Sequence, residues 1–292
     1  MDLSIIIVSY NTRDMLRDCL RSLPAAAEGL TIETFVVDNN SPDDSVAMVQ
    51  SEFPHVHLIA NKENAGFTRA NNQAIRLCVG RFVLLLNPDT EAEPGSLTVL
   101  ARYLETHPNV GAVGPKLLNT DGSLQPNGRR FPTPWLEFLG HTGLRRFFRK
   151  ASSPNWECDR DDFDVEWETD LVTGACLMTR REVLDQVGML DEDFFMFYEE
   201  IEWCWRVRKA GWKILYVPEA RVTHHWMGSV RQQSRAMTIR LFRSMLVYYK
   251  KTGGTGDQLA ARGVFVAGML KNEALHLGVG VKRRLRAARL IR

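Results

Sequence analysis

The run Leu3–Ser9 is near-continuously apolar and rich in Ile and Val. Such a run reads as a strand buried on both faces, as in a parallel sheet. Met15, Leu16, Cys19, Leu20 and Leu23 then share one helical face; Asn11 or Thr12 can cap that helix, and Pro24 is expected to end it. Thr34–Val37 predicts a second strand, closed by Asp38-Asn39-Asn40. Ser41-Pro42-Asp43-Asp44 has the form of a helix start, with Ser at the cap, Pro next and acids in the first turn. His55–Ile59 predicts a third strand, Asn64-Ala65-Gly66-Phe67 leads into a helix through about Cys78, and Phe82–Leu86 is a fourth strand. Four alternations of strand and helix in the first ~90 residues predict a mainly parallel, twisted α/β sheet flanked by helices.

After a helix over Pro94–Thr106 and a short strand at Gly111–Gly114, the rhythm changes. Residues 119–170 carry turn signals, including Gln125-Pro126-Asn127-Gly128-Arg129-Arg130-Phe131-Pro132, and no clear helical period. Leu171–Thr179 and Ile214–Val217 are strand-like, Arg181–Val187, Glu199–Ala210 and Arg235–Tyr249 are helix-like, and 257–292 predicts one or two amphipathic helices.

Charge and cysteine content narrow the classes. Net charge is +2, but residues 250–292 hold ten Lys/Arg against two acids, so that segment carries +8 and the rest −6. A mildly acidic body does not fit a nucleic-acid binder, whereas the basic tail suits an anionic membrane surface. The cysteines are Cys19, Cys78, Cys158, Cys176 and Cys204, an odd set without a C-x-x-C, which argues for a reducing compartment and against a disulfide framework or zinc ribbon. With no basic, apolar leader and no run of roughly 18 apolar residues, the expected setting is cytoplasmic, with peripheral contact on the inner face of the cell membrane.

The candidate chemistry lies at the strand ends. Asn87-Pro88-Asp89-Thr90 directly follows Phe82–Leu86. An aspartate at the carboxyl edge of a parallel strand sits where open α/β sheets bind ligands, and it suits a divalent cation shared with a phosphorylated substrate. A turn with a capping Asp is the plainer reading of the tetrapeptide alone. No glycine-rich turn follows the first strand, and neither a G-x-x-x-x-G-K-[ST] loop nor a G-x-S-x-G elbow exists, which disfavours dehydrogenase, P-loop and α/β-hydrolase readings. Asp38, Asn39, Asn87 and Asp89 remain as a nucleoside-diphosphate site, with Asp38 on a ribose or base edge and Asp89 on a cation at the diphosphate.

Six segments in order, SIIIVSYN (4–11), VVDNN (36–40), NAGFTRANN (64–72), LLLNPDT (84–90), TGACLMTRR (173–181) and VGMLDEDFFMFYEEIEWCWR (187–206), resemble family 2 glycosyltransferases. Over roughly residues 3–250 the chain is most similar to the rhamnosyltransferase-like branch of bacterial cell-surface polysaccharide synthesis. The resemblance implies a GT-A fold within 1–250, with 1–115 binding nucleotide and 116–250 forming the acceptor-binding and catalytic part, followed by a basic amphipathic helical tail, 251–292. It implies inverting transfer from a nucleotide sugar, assisted by Mg²⁺ or Mn²⁺, to a glycan or lipid-linked acceptor. dTDP-rhamnose is the expected donor, ahead of UDP-sugars.

By the same resemblance, Ser9 and Asn11 match the segment lining the base, and Asp38 the acid that contacts base or ribose. Asn64, Gly66 and Phe67 match the segment near the donor, with Arg69 as a phosphate partner. Asn87-Pro88-Asp89 replaces the usual D-x-D, leaving Asp89 as the metal ligand and Asn87 for ribose. Glu199-Glu200-Ile201-Glu202 replaces E-D-x-D, which makes Glu200 the expected base, with Glu199 and Asp191 in reserve; acids at a helix start also simply complement its dipole. His224, in His224-His225-Trp226-Met227-Gly228-Ser229, falls on a histidine that completes the metal or diphosphate site. The aromatics Phe194–Trp205 are expected mostly in the core, and the tail Lys282–Arg292 is the expected membrane contact. A nucleotidyltransferase or an inactive nucleotide-sugar-binding relative are the alternatives.

Overall fold

The computed structural model describes residues 1–147, 158, 162–225 and 235–289. In chain order the elements are β1 (Leu3–Ser9), α1 (Arg13–Ala26), β2 (Ile32–Asp38), α2 (Ser45–Glu52), β3 (His57–Ala60), α3 (Phe67–Ile75), β4 (Phe82–Leu86), β5 (Thr90–Ala92) and α4 (Ser96–Thr106). There follow β6 (Val110–Leu118), β7 (Leu124–Gln125), α5 (Pro134–Thr142), β8 (Trp167–Thr169), β9 (Cys176–Arg180), α6 (Arg181–Val187), α7 (Glu199–Lys209), β10 (Lys213–His224), α8 (Arg235–Thr252) and α9 (Thr255–Arg289). The strands form one sheet in the order β3-β2-β1-β4-β9-β6-β10-β5, with β7 on β6 and β8 on β10.

The expected parallel register holds across β3-β2-β1-β4. Past β4 the sheet is mixed: β9 runs antiparallel to both β4 and β6, while β6 and β10 are parallel. Continuous apolar runs are explained by burial on both faces. Ile5 and Ile7 of β1 join the layer of α1, α2 and α4, whereas Ile6 and Val8 join the layer of α3, α6 and α7. A third cluster, built by Phe194, Tyr198, Phe242, Met245 and Ala261, packs α8 and α9 beside the sheet. Of the aromatics expected in the core, Phe194, Tyr198 and Trp203 are buried, while Phe195, Phe197 and Trp205 are half-buried.

Several sequence-based expectations are corrected. Pro24 lies inside α1 rather than ending it; in the last turn it deletes one hydrogen bond, and Ala27 N–H closes the helix on the Leu23 carbonyl at 2.9 Å. The helix expected from Ser41 begins at Ser45. Residues 41–44 are held elsewhere: Ser41 N–H donates to Asp38 Oδ2 (2.9 Å), Asn11 N–H to Ser41 Oγ (2.9 Å) and Arg13 N–H to Asp43 Oδ2 (2.8 Å). The stretch without a helical period contains α5, capped by Thr133 with Pro134 at its first turn. The strand expected over Leu171–Thr179 is confined to Cys176–Arg180, because 173–175 form a loop. The one or two helices expected over 257–292 are, by contrast, met by a single helix as far as Arg289.

Candidate active site

The site is assembled at the carboxyl ends of β1, β2 and β4, from loops pinned by buried amides. Ser9 ends β1, fully buried; its hydroxyl bonds Thr12 Oγ1 (3.0 Å) and its carbonyl accepts Asn39 N–H (2.9 Å). Asn11 is exposed with φ 57°, a left-handed turn that Asn tolerates better than most residues. Asp38 is 1% exposed, and while Oδ2 accepts from Ser41, Oδ1 has no hydrogen-bond partner. An orphaned buried carboxylate oxygen is costly unless a ligand supplies a donor.

The 64–67 loop is tied to the loop before α7. Asn64 Oδ1 accepts Gly66 N–H (3.0 Å), and Phe67 N–H donates to the Phe195 carbonyl (2.8 Å). Gly66 has φ 86°, and a Cβ there would stand 2.7 Å from the Phe195 carbonyl oxygen, so both conformation and space require glycine. Arg69 is exposed and faces Glu192 at 3.6 Å. Asn72 Nδ2 donates to the Leu190 carbonyl (2.8 Å), and Asn72 Oδ1 accepts Leu190 N–H (3.2 Å), which holds the 188–195 segment over α3.

Asp89, 4% exposed, ends the turn after β4. The following β5 pairs with the end of β10, setting His224 opposite Thr90. His224 Nε2 lies 3.3 Å from Asp89 Oδ1, and His225 N–H donates to the Asp89 carbonyl (2.9 Å). On the other side of the ring, His224 Nδ1 meets Gln125 Oε1 at 2.7 Å. Gln125 Nε2 is spent on Asn119 Oδ1 (2.9 Å) and the His224 carbonyl (3.1 Å), so its oxygen faces the ring and Nδ1 carries the proton. The Nε2 edge of the ring then faces the Asp89 carboxylate. Among the described residues no three His, Cys, Asp or Glu side chains converge. Asp89 and His224 are the pair of side chains here whose chemistry could contribute to holding a divalent cation. Trp226–Ser229 lie outside the described residues.

The loop 173–175 joins this end of the site to α7. Asn87 N–H donates to the Ala175 carbonyl (3.0 Å), while a methyl on the adjacent Gly174 would stand 3.7 Å from Glu200 Cβ. Asn127, fully buried, secures the loop: Oδ1 accepts Thr173 N–H (2.9 Å), and Nδ2 donates to the Pro115 carbonyl (2.8 Å) at β6.

The three acids that open α7 differ in their surroundings. Glu202 is paired with Arg206 at 2.9 Å. Glu199 is 5% exposed with Oε2 lacking a partner; burial, then the neighbouring Glu200, push its carboxyl well above the ordinary value. Glu200 is half-buried, and burial raises its carboxyl too, opposed by the nearby Arg129 guanidinium. Arg129 is positioned by a backbone bridge to Leu171. Just before α7, Phe197 and Tyr198 both have positive φ, 72° and 67°. Such strain costs about 1–3 kcal/mol per residue and persists only where neighbours enforce it. Here Tyr198 Oη donates to Glu137 Oε1 of α5 (2.5 Å), and Ser244 Oγ to the Met196 carbonyl (2.8 Å).

Asp191 sits apart from these acids in its bonding. Lys251 Nζ lies 2.7 Å from its Oδ2, and Asp193 N–H donates to its Oδ1 (3.0 Å). Burial works to raise this carboxyl, but those bonds outweigh it and hold it below the ordinary value. Gln125, Asn127, Arg129 and Glu137 were not singled out from sequence; only the density of Asn, Gln and Gly between Gln125 and Arg130 hinted at them.

Residues 4–188 match the model of glycosyl transferase family 2. The chain is 31% identical over 238 residues to an N-acetylglucosaminyl-diphospho-decaprenol L-rhamnosyltransferase of Mycobacterium tuberculosis, covering 76% of each chain. It is 31% identical over 214 residues to the low-salt glycan biosynthesis hexosyltransferase Agl10 of Haloferax volcanii, covering 72% of this chain and 62% of that one. Among solved structures, the mannosyltransferase PcManGT from Pyrobaculum calidifontis, in complex with GDP-Man and Mn²⁺, superposes with a TM-score of 0.58 at 16% identity, over 97% of this chain and 80% of that one. S. aureus TarS 1-349 in complex with UDP-GlcNAc gives 0.55 at 15%, over 92% and 72%. The fold is that of the GT-A glycosyltransferases. The chain belongs to glycosyl transferase family 2. The stretch matched by the family model ends before Glu199 and Glu200.

Proposed function

We propose that this glycosyltransferase moves rhamnose from dTDP-rhamnose, with inversion, to a hydroxyl of a glycan or lipid-linked acceptor, and that Glu200 is the base. The observation carrying this reading is the 173–175 loop, whose Ala175 carbonyl holds Asn87 while Gly174 abuts Glu200. One short loop thus separates a strand-end acid suited to a leaving group from an acid suited to a proton.

Asp38 Oδ1, buried without a donor, would accept from the base or ribose, and Asn87 from the ribose side. Asp89 and His224 would hold a divalent cation, which supplies charge neutralisation for the departing diphosphate. Arg69 would reach phosphate only by leaving Glu192. Glu200, raised by burial, would take the acceptor hydroxyl proton as that oxygen attacks the anomeric carbon in line. Asp191, neutralised by Lys251, is the weakest of the three base candidates.

The test is nucleoside-diphosphate release and acceptor glycosylation with dTDP-rhamnose, UDP-sugars and GDP-sugars, each with Mg²⁺, Mn²⁺ or chelator. Preference for dTDP-rhamnose that chelator abolishes, together with loss of metal-stimulated donor binding in Asp89→Ala, is the expected result. Donor affinity in Asp89→Ala that equals wild type with and without chelator overturns the metal assignment.

A further inference from the structure

The helix α9 is apolar on two opposite faces. Ala261, Val264 and Gly268 are buried, and a methyl at Gly268 would overlap the Phe242 ring of α8. Lys271 Nζ donates to the His141 carbonyl (2.8 Å), tying the same helix to the end of α5. The opposite face carries Leu259 (60% exposed), Val266 (55%) and Leu270 (67%). At about 100° per residue, spacings of seven and four put these three within roughly 40° of one another. They form one stripe rather than scattered surface residues. The turn after α5, next to Lys271, adds exposed Leu144 and Phe147. A helix apolar on both sides is ordinarily covered on both sides.

The charge around the stripe identifies what covers it. Between Leu259 and Asn272 the charged residues are Arg262 and Lys271, both basic. No acid occurs between Glu219 and Asp257; within that stretch α8 carries Arg243 and Lys250, while its Lys251 is paired with Asp191 and Asp193 and its Arg240 lies over the Phe195 ring. After Glu273 the chain continues with Lys282, Arg283, Arg284, Arg286, Arg289 and Arg292 and no acid. A second copy docking by this face would set cations against cations, whereas an anionic bilayer supplies the opposite sign. No described helix is long and apolar enough to cross a membrane, so the fit is an in-plane one, with the stripe in the headgroup region.

We infer that the outer face of α9, through Leu259, Val266 and Leu270 with Arg262 beside them, docks the protein on an anionic lipid surface. The contact lies upstream of the Lys282–Arg292 tail that the sequence pointed to, and it is independent of donor chemistry.

Full-length protein is co-sedimented with phosphatidylcholine vesicles, with and without about one third phosphatidylglycerol, in the absence of donor and acceptor. Binding is expected only to the anionic vesicles and to weaken with salt. The variant Leu259→Gln/Val266→Gln/Leu270→Gln is expected to lower it on the order of tenfold or more, while transfer to a water-soluble acceptor stays at wild-type rate. Arg262→Glu, at an exposed position that leaves the apolar stripe intact, is expected to weaken binding severalfold. Leu77→Gln/Val79→Gln, at exposed apolar positions after α3, is the control and should bind as wild type. Wild-type binding in the triple variant, an equal loss in the control, or a dimer in solution that the triple variant dissociates would each overturn the inference.

Discussion

The 173–175 loop meets Asn87 on one side and Glu200 on the other, and the acids at or near those two residues in sequence have opposite surroundings. Asp89 is buried but faces an imidazole whose other nitrogen is already committed to Gln125. Glu199 is buried and the adjacent Glu200 half-buried, and burial drives both carboxyls upward. The first arrangement sets a carboxylate against an imidazole nitrogen at a strand end; the second holds acids that keep their protons to higher pH. A departing diphosphate needs the former, and abstraction of a hydroxyl proton is helped by the latter. The contrast arises from partners, not residue type, since each side is built on ordinary carboxylates.

Removing proton affinity from the second side has the largest expected effect. Glu200→Gln keeps shape and loses the basic oxygen, so transfer should fall by about 10²–10⁴-fold. Donor affinity, measured by calorimetry, should stay within about twofold, because the α7 side does not hold the nucleotide. A variant whose kcat survives while donor binding weakens would assign Glu200 to the donor side and erase the contrast.

A smaller change tests how the second side is tuned. Arg129 favours the ionised form of Glu200, against burial. Its loss in Arg129→Gln removes that opposition, so the folded-state value rises further. The acid limb of kcat/KM should move to higher pH, with activity regained at alkaline pH. A uniform loss at every pH would mean that Arg129 only anchors the Leu171 bridge.

The two sides also differed in how far the sequence exposed them. The strands β1, β2 and β4 were legible because burial on both faces demands unbroken apolar runs, and Asp38 and Asp89 follow at their ends. The start of α2 was not, since Asp38 and Asn11 draw Ser41 into the binding loop by contacts that local pattern does not encode. The second side is held by distant pairs, Asn127 to Thr173 and Glu137 to Tyr198, and the first side gains one of the same kind, Gln125 to His224. None of these has a periodic signature. Helix α5 did carry a local one, Thr133-Pro134 at its start, but its apolar face is short and is completed by α9 more than a hundred residues later. The antiparallel β9 was unreadable for a related reason: an apolar strand reports burial, not direction.

The mildest expected effect is on stability, and it separates Glu199 from Glu200. Glu199 is the more enclosed, with Oε2 unpartnered, and its carboxyl lies well above its ordinary value of 4.5. Because the folded state binds this proton more tightly than the unfolded chain, the penalty is absent below about pH 4.5 and grows as pH rises from there toward the folded value. In that window the slope is at most about 1.4 kcal/mol per pH unit. Glu199→Gln mimics the protonated acid, so it should match wild type in thermal midpoint near pH 4 and exceed it increasingly toward neutrality. Glu199→Gln should also leave transfer largely intact if Glu200 alone receives the proton. A midpoint difference that is flat with pH would show that Glu199 ionises without penalty, and the two sides would then differ less than their burial implies.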